Sequence, residues 1–461
     1  MGDRTWFPRA VTRQDPDARS RPVRLYGWRD PAILAAGWFA LAAGFAQFGA
    51  TSALGDVAKT FGADQTGASI AAKVGLSGTT LGIGLAIIRL ASLGSLPLAG
   101  LADRFGRKLT LLGCVALGLA LTATAALSPT FWWFVAIFAL GRPLLSATNT
   151  VAGVIAAEQT TSRDRAKAIS LVTAAYAVGA GLTALLRGVL GDQLGFRGLF
   201  ALALVPLAVT PLIARRLQEP ERYQRLRTGA ALGAALGAAV GSGPAASAPP
   251  PARVRGPRAL WIPGRVRVEL RPRLWLLTGL TFAFSFVIGP MNTFLFVYAE
   301  NALGLSRGAT ALMVLAAGPL GLVGLLVGRW TADNIGRRHT AATGQILVAI
   351  AGMITYSGSV SGAVSGYLLG IVAGGAYGPA TAALAAELFP TSVRARVAGW
   401  LVASGVLGAV AGLLAFGTIS DALDSFALAA VVICAPVVLA SLLFAPLPET
   451  AGMELEQSAP E

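Results

Sequence analysis

Apolar runs of about 20 residues, each long enough to cross a bilayer core of about 30 Å as a helix, recur along the whole chain. They fall near 32–55, 76–102, 109–127, 131–157, 167–190, 198–214, 274–299, 309–331, 341–360, 363–386, 396–420 and 425–445, with short polar loops between most of them. Runs this rich in Gly and Ala are expected to be helical, because within lipid only helices and closed barrels satisfy every backbone polar group. The pattern predicts an all-α polytopic membrane protein of twelve transmembrane helices. Composition agrees: 55% of the 461 residues are hydrophobic and 13% charged, against about 25% charged in soluble domains.

The polar punctuation repeats. Asp103-Arg104-Phe105-Gly106-Arg107-Lys108 returns as Asp333-Asn334-Ile335-Gly336-Arg337-Arg338, 230 residues later. Ala156-Ala157-Glu158 returns as Ala385-Ala386-Glu387 after 229 residues, and Pro220-Glu221 as Pro448-Glu449 after 228. These pairs follow the second, fourth and sixth span of each half. Three landmarks in near-register predict two pseudo-symmetric six-helix bundles. The expected organisation is a basic amino-terminal segment (1–30), a first bundle (31–214), a linker (215–273), a second bundle (274–446) and a tail (447–461). The middle of the linker, 229–251, is almost wholly Ala, Gly, Ser and Pro, the composition of a tether.

Net charge is +15, which raises nucleic acid as a partner; its distribution argues against that. Placing the amino terminus inside puts 30 Lys and Arg in cytoplasmic segments and leaves four outside: Lys59, Lys73, Arg197 and Arg307. That bias is the positive-inside rule, so the charge reads as topology, with attraction to anionic membrane lipid as a secondary effect. Both termini are expected in the cytoplasm, and the Arg/Ala/Gly bias points to a bacterial inner membrane. Cys114 and Cys434 stand alone in apolar runs, and His339 is the only His. No disulfide framework, metal site or cofactor is expected. No Lys follows a Gly, which excludes a phosphate-cradling loop of the Gly-Lys-Ser/Thr type. No catalytic constellation stands out, so an enzyme is not expected.

On the residues just quoted, the chain resembles the major facilitator superfamily over essentially its full length. The loop at Asp103–Lys108 looks like that family's Asp-Arg-x-Gly-Arg-Arg/Lys signature. Glu219-Pro220-Glu221-Arg222, Pro448-Glu449-Thr450 and Glu387-Leu388-Phe389-Pro390 with Arg394 and Arg396 resemble the marks of sugar porters and their organic-ion relatives. The sugar-binding features depart: Ala382 stands where the aromatic is expected, and the seventh span, Phe286 to Asn292, lacks the paired Gln. Thr51, after Phe48-Gly49-Ala50, stands where proton-coupled sugar porters carry a titrating Asp. The resemblance thus implies alternating access, with an organic ion or aromatic metabolite favoured over a sugar.

Polar groups inside the spans are the candidate binding residues, since a charge at the bilayer centre is costly unless it meets a cavity or partner. Arg142 lies about eleven residues into the fourth span, with Asn149 two turns on along the same face. Arg89 lies deep in the second span. Gln47 and Thr51 on the first span, Tyr176 on the fifth, Asn292 on the seventh and Tyr377 on the tenth complete the expected substrate-binding set. Arg187, near the outer end of the fifth span, is read as reaching water or substrate. Asp103, Arg104, Gly106, Arg107, Glu158 and Arg165, with Asp333, Gly336, Arg337, Glu387 and Arg394, form the expected gating set. Their carboxylates are expected to meet helix amino termini or arginines of the opposite half; the alternative is that they only fix loop shape.

The expected activity is secondary active or facilitative transport of a small organic solute, best an organic anion or aromatic metabolite, by a monomer, with a proton or other ion as the coupling partner. A drug or metabolite exporter of the same fold, and a non-transporting membrane receptor, are the alternatives.

Overall fold

The computed structural model describes residues 27–62, 69–221, 223–224 and 266–451. The basic amino-terminal segment, most of the linker and the end of the tail lie outside them. Twelve long helices follow one another: α1 (Pro31–Ser52), α2 (Gly78–Phe105), α3 (Arg107–Leu127), α4 (Phe131–Gln159), α5 (Ser162–Ala201), α6 (Leu204–Ala214), α7 (Val268–Ala302), α8 (Arg307–Asn334), α9 (Arg337–Thr355), α10 (Val360–Glu387), α11 (Thr391–Ala422) and α12 (Phe426–Phe444). Ten are long and apolar enough to cross a membrane by length and composition. The other two are α6 and α9. The first turn of α9 holds Arg337, Arg338 and His339, which dilutes its apolar content.

Local chemistry sets the starts. Asp30, Ser77, Thr130, Ser306, Ser359 and Ser425 each accept a backbone N–H of the first turn that follows, satisfying donors that a helix leaves unpaired. Two junctions differ in kind from the sequence pattern. The helix expected to end at residue 190 runs on to Ala201, broken only at Gly195 (φ 58°, ψ −170°), so the sixth span is the tail of α5 joined to α6. The first span stops at Ser52, and a short helix, Leu54–Phe61, turns off it.

The packing repeats between halves. In the first, α1 lies along α5 and α3 along α4; in the second, α7 lies along α11 and α9 along α10. The halves meet through α2 against α11 and α5 against α8, partners related by the same internal symmetry. The loops after the second, fourth, eighth and tenth spans share one end of the bundle, termed here the basic face. The short helix Leu54–Phe61, which carries Asp56, and the end of α5 that carries Arg187 lie toward the opposite face.

Helix α1 sits unusually close to α5. A Cβ added at Gly179 would collide with the carbonyl oxygen of Leu41, and one at Gly44 with that of Tyr176. Mutual glycines bring the two backbones together, as small residues do at membrane helix crossings.

Candidate functional site

Two cavities of about 350 Å³ each lie between the halves. The one nearer the basic face is walled by Gln47, Ser146, Asn149, Tyr176 and, from the other half, Val402 and Val406. The deeper one is walled by Phe48, Thr51, Asn292, Thr293, Phe296 and Tyr367. Arg89 and Arg142 belong to both walls, so the two arginines are shared between the cavities.

Among the described residues, the polar groups that share the cavity walls with these arginines are uncharged. Tyr176 Oη donates to Gln47 Oε1 at 3.1 Å, and Gln47 Nε2 donates to Ser146 Oγ at 3.4 Å. The close α1–α5 packing brings Tyr176 and Gln47 into register. The buried Nε atoms of Arg89 and Arg142 and Oδ1 of Asn292 have no hydrogen-bond partner. Among the described residues no Asp, Glu or His lines either cavity. Seven of the eight expected substrate-binding residues thus line the two cavities. Tyr377 does not: it is buried in the core of the second half, stacked on Phe284 at 3.8 Å between ring centroids. An aromatic on an apolar helix gives no signal of which face it presents, and here it serves packing.

Toward the opposite face the cavities end at charged contacts joining the halves. Arg187 is 3% exposed, and it neither snorkels to water nor lines a cavity, contrary to the expectation. Its Nε and NH2 donate to Asp56 Oδ2 at 3.1 and 2.8 Å, and NH1 and NH2 to Glu300 at 2.5 and 2.6 Å. Arg307 donates to Asp56 Oδ1 at 3.1 and 2.7 Å and pairs with exposed Asp192. Thr310 Oγ1 adds a bond to Glu300 at 2.7 Å. Glu300 sits in a π-helical turn, Tyr298–Ala302, ending α7; such turns are rare and frequent at functional sites. On the symmetry-related side, the Asp421 carboxylate of α11 accepts from Gly78 N–H, Thr79 N–H and Thr79 Oγ1 at 2.7, 2.8 and 2.6 Å, capping α2 of the other half. Sequence reasoning missed these roles, because each acidic residue lies at a helix end, where a solvated charge is ordinary.

At the basic face the signature loops pair within their own halves. Arg107 donates to both oxygens of Glu158 at 3.1 Å and pairs with Asp103 at 3.0 Å, while Arg337 pairs with Glu387 and, at 3.9 Å, Asp333. The expected links across the halves are therefore not made in this conformation. Gly106 (φ 107°) and Gly336 (φ 129°) adopt backbone open chiefly to glycine and turn the chain into α3 and α9. The exposed N–H groups of those helices are met by Glu219, which accepts from Arg107 and Lys108 at 2.5 and 3.0 Å, and by Glu449, which accepts from Arg337 and Arg338 at 2.8 and 3.2 Å. The true counterpart of Glu449 is thus Glu219, two residues before the Glu221 suggested by the sequence repeat. Arg104 is exposed, its guanidinium 5.8 Å from the Phe105 ring. Arg394 donates to the Phe389 carbonyl at 3.4 Å, and Arg165 keeps an unpartnered Nε.

Burial works against the Glu449 carboxylate, but N–H groups of Arg337, Ala451, Arg338 and Thr450 outweigh it and hold the group below its ordinary range. Its stabilising contribution is complete above the unfolded glutamate pKa and is lost as pH falls through the depressed one. A melting-temperature gap between wild type and Glu449→Gln should therefore be present at neutral pH and close in acid; a constant gap would show that the charge plays no part.

A family model for the Major Facilitator Superfamily matches residues 36–331 and 320–459. A cis,cis-muconate transport protein of Acinetobacter baylyi is 25% identical over 337 residues, 70% of this chain and 77% of that protein. A putative metabolite transport protein of Haemophilus influenzae is 28% identical, but over only 29% of this chain and 33% of that protein. An inward-open structure of the E. coli xylose transporter XylE superposes with a TM-score of 0.69 at 18% identity, covering 92% of this chain and 98% of that one. The nucleoside transporter NupG gives the same score at 11% identity, covering 90% and 99%. The match along nearly the whole chain and the repeated six-helix packing agree: this chain belongs to the Major Facilitator Superfamily, transporters rather than enzymes, which move small solutes by alternating access.

Proposed function

We propose that this protein transports a small organic anion, with unsaturated or aromatic acids favoured, across a bacterial inner membrane, its basic face toward the cytoplasm. The observation carrying this reading is the pair Arg89 and Arg142 in the shared wall of two cavities, with no carboxylate partner among the described residues. An unpaired buried cation is unfavourable, and a substrate carboxylate relieves it with hydrogen bonds suited to the planar guanidinium fork. Phe48, Phe296, Tyr176 and Tyr367 supply flat apolar surface beside that charge. The muconate relative is named for an unsaturated dicarboxylate, which fits the same chemistry.

Orientation rests on the count of basic residues, 30 against four. On that orientation, Asp56, Arg187, Glu300, Arg307 and Asp421 hold the outer end closed, and the cavity walled by Gln47 and Asn149 lies on the cytoplasmic side of the arginines. The signature loops at the basic face are the gate of the opposite state, when that end closes.

Uptake into proteoliposomes tests the reading. Arg142→Gln and Arg89→Gln are each expected to lower affinity for cis,cis-muconate by about 10- to 100-fold, since hydrogen bonds to charged groups contribute about 1.5–3 kcal/mol. Wild-type affinity for anions in both variants, or a cation as best substrate, would rule it out.

A further inference from the structure

We infer that the two-arginine site makes this protein an exchanger of organic dianions, whose empty form returns across the membrane far more slowly than its loaded form. The inference rests on the organic-anion reading of that site.

Two other buried arginines of the described fold are matched: Arg187 by Asp56 and Glu300, Arg107 by Glu158 and Asp103. Arg89 and Arg142 have no ion-pair partner among the described residues, and the groups around them, Gln47, Ser146, Asn149, Tyr176, Thr51 and Asn292, are uncharged. The empty site therefore holds two positive charges, and a bound dianion brings it to zero.

Alternating access passes through a state in which the site is sealed from both sides. Sealing removes water that screens the two guanidiniums, and charges interact more strongly as the local dielectric falls. The loaded protein crosses this state as a neutral unit; the empty one crosses it with two uncompensated cations, a costly burial. Proton-driven return needs an acid in the site that loses its proton and then pairs with the cation. Neither cavity has one among the described residues. A second anion is then the species that brings the protein back: one dianion enters as another leaves, with no net charge moved.

The test uses wild-type protein in proteoliposomes with the membrane potential clamped. Labelled cis,cis-muconate is supplied outside, and vesicles contain either unlabelled muconate or buffer. Preloaded vesicles should take up label at least about tenfold faster than empty ones, with or without an inward proton gradient. Empty vesicles filling as fast as loaded ones, or doing so once a proton gradient is imposed, would overturn exchange while leaving the anion reading intact. No uptake by either, together with no change in melting temperature on adding muconate or sorbate (a six-carbon dienoic monoacid with trans double bonds), would overturn the anion reading and this inference with it.

A variant supplies an independent arm. Arg89→Gln leaves one cation, so a monoanion suffices for neutrality. With a melting temperature near wild type, it should exchange sorbate in preference to muconate and narrow the gap between loaded and empty vesicles. If it retains the wild-type preference and the wild-type gap, counting charges does not explain the site.

Discussion

Arg187→Gln is expected to release the closed end of the transporter and shift it toward the state open at that face. The guanidinium is almost fully buried and donates four hydrogen bonds, two to Asp56 in the first half and two to Glu300 in the second. Without it, Asp56 keeps Arg307, but Glu300 keeps only the Thr310 hydroxyl among these contacts. Removing one partner from a buried pair costs about 3–5 kcal/mol, because the remaining charge is left uncompensated. Glu300 regains water when the halves part, so the cost falls mainly on the closed arrangement. About 3 kcal/mol corresponds to more than a hundredfold change in the balance of states.

The measurement is labelling of a single cysteine at Thr51 or Asn292, in a background lacking Cys114 and Cys434, by a membrane-impermeant maleimide added outside. Labelling should rise sharply in Arg187→Gln and fall back when Glu300→Gln is added, because that second change removes the stranded charge. Equal labelling of wild type and Arg187→Gln would remove the network from the gating scheme.

Gly179→Val should have an effect of similar size on folding itself. The added side chain has no room: its Cβ would overlap the backbone carbonyl of Leu41, which cannot rotate away as a side chain could. Overpacking commonly costs about 1–3 kcal/mol where side chains can adjust, and more where backbone must move. Separating α1 from α5 would also break the Tyr176–Gln47 hydrogen bond in the cavity wall. A low yield of monodisperse protein is expected, and any material recovered should melt well below wild type. The milder Gly179→Ala should retain more folded protein and show weakened anion binding. Wild-type yield and melting temperature for Gly179→Val would mean that the two helices are not held as closely as described.

The sequence by itself determined the twelve spans, their six-plus-six repeat and the positions of the embedded polar residues. Each follows from local patterns: apolar length sets a span, Gly106 and Gly336 mark equivalent turns, and a charge amid apolar residues marks itself. It also placed Arg89 and Arg142 at a depth where they require a partner or a cavity. What it left open was which arginines have partners. Arg89, Arg142 and Arg187 look alike in the chain, yet Arg187 meets Asp56 and Glu300, 131 and 113 residues away, while the other two meet cavities. Pairings that distant are set by how helices from two halves pack, and no periodicity within one helix encodes that. The same holds on a smaller scale at the basic face, where Glu219 rather than Glu221 caps α3 because the turn leaving α6 decides which carboxylate faces the helix end. Tyr377 turned into the core beside Phe284 for a related reason: an apolar helix shows its inward face only once its neighbours are in place.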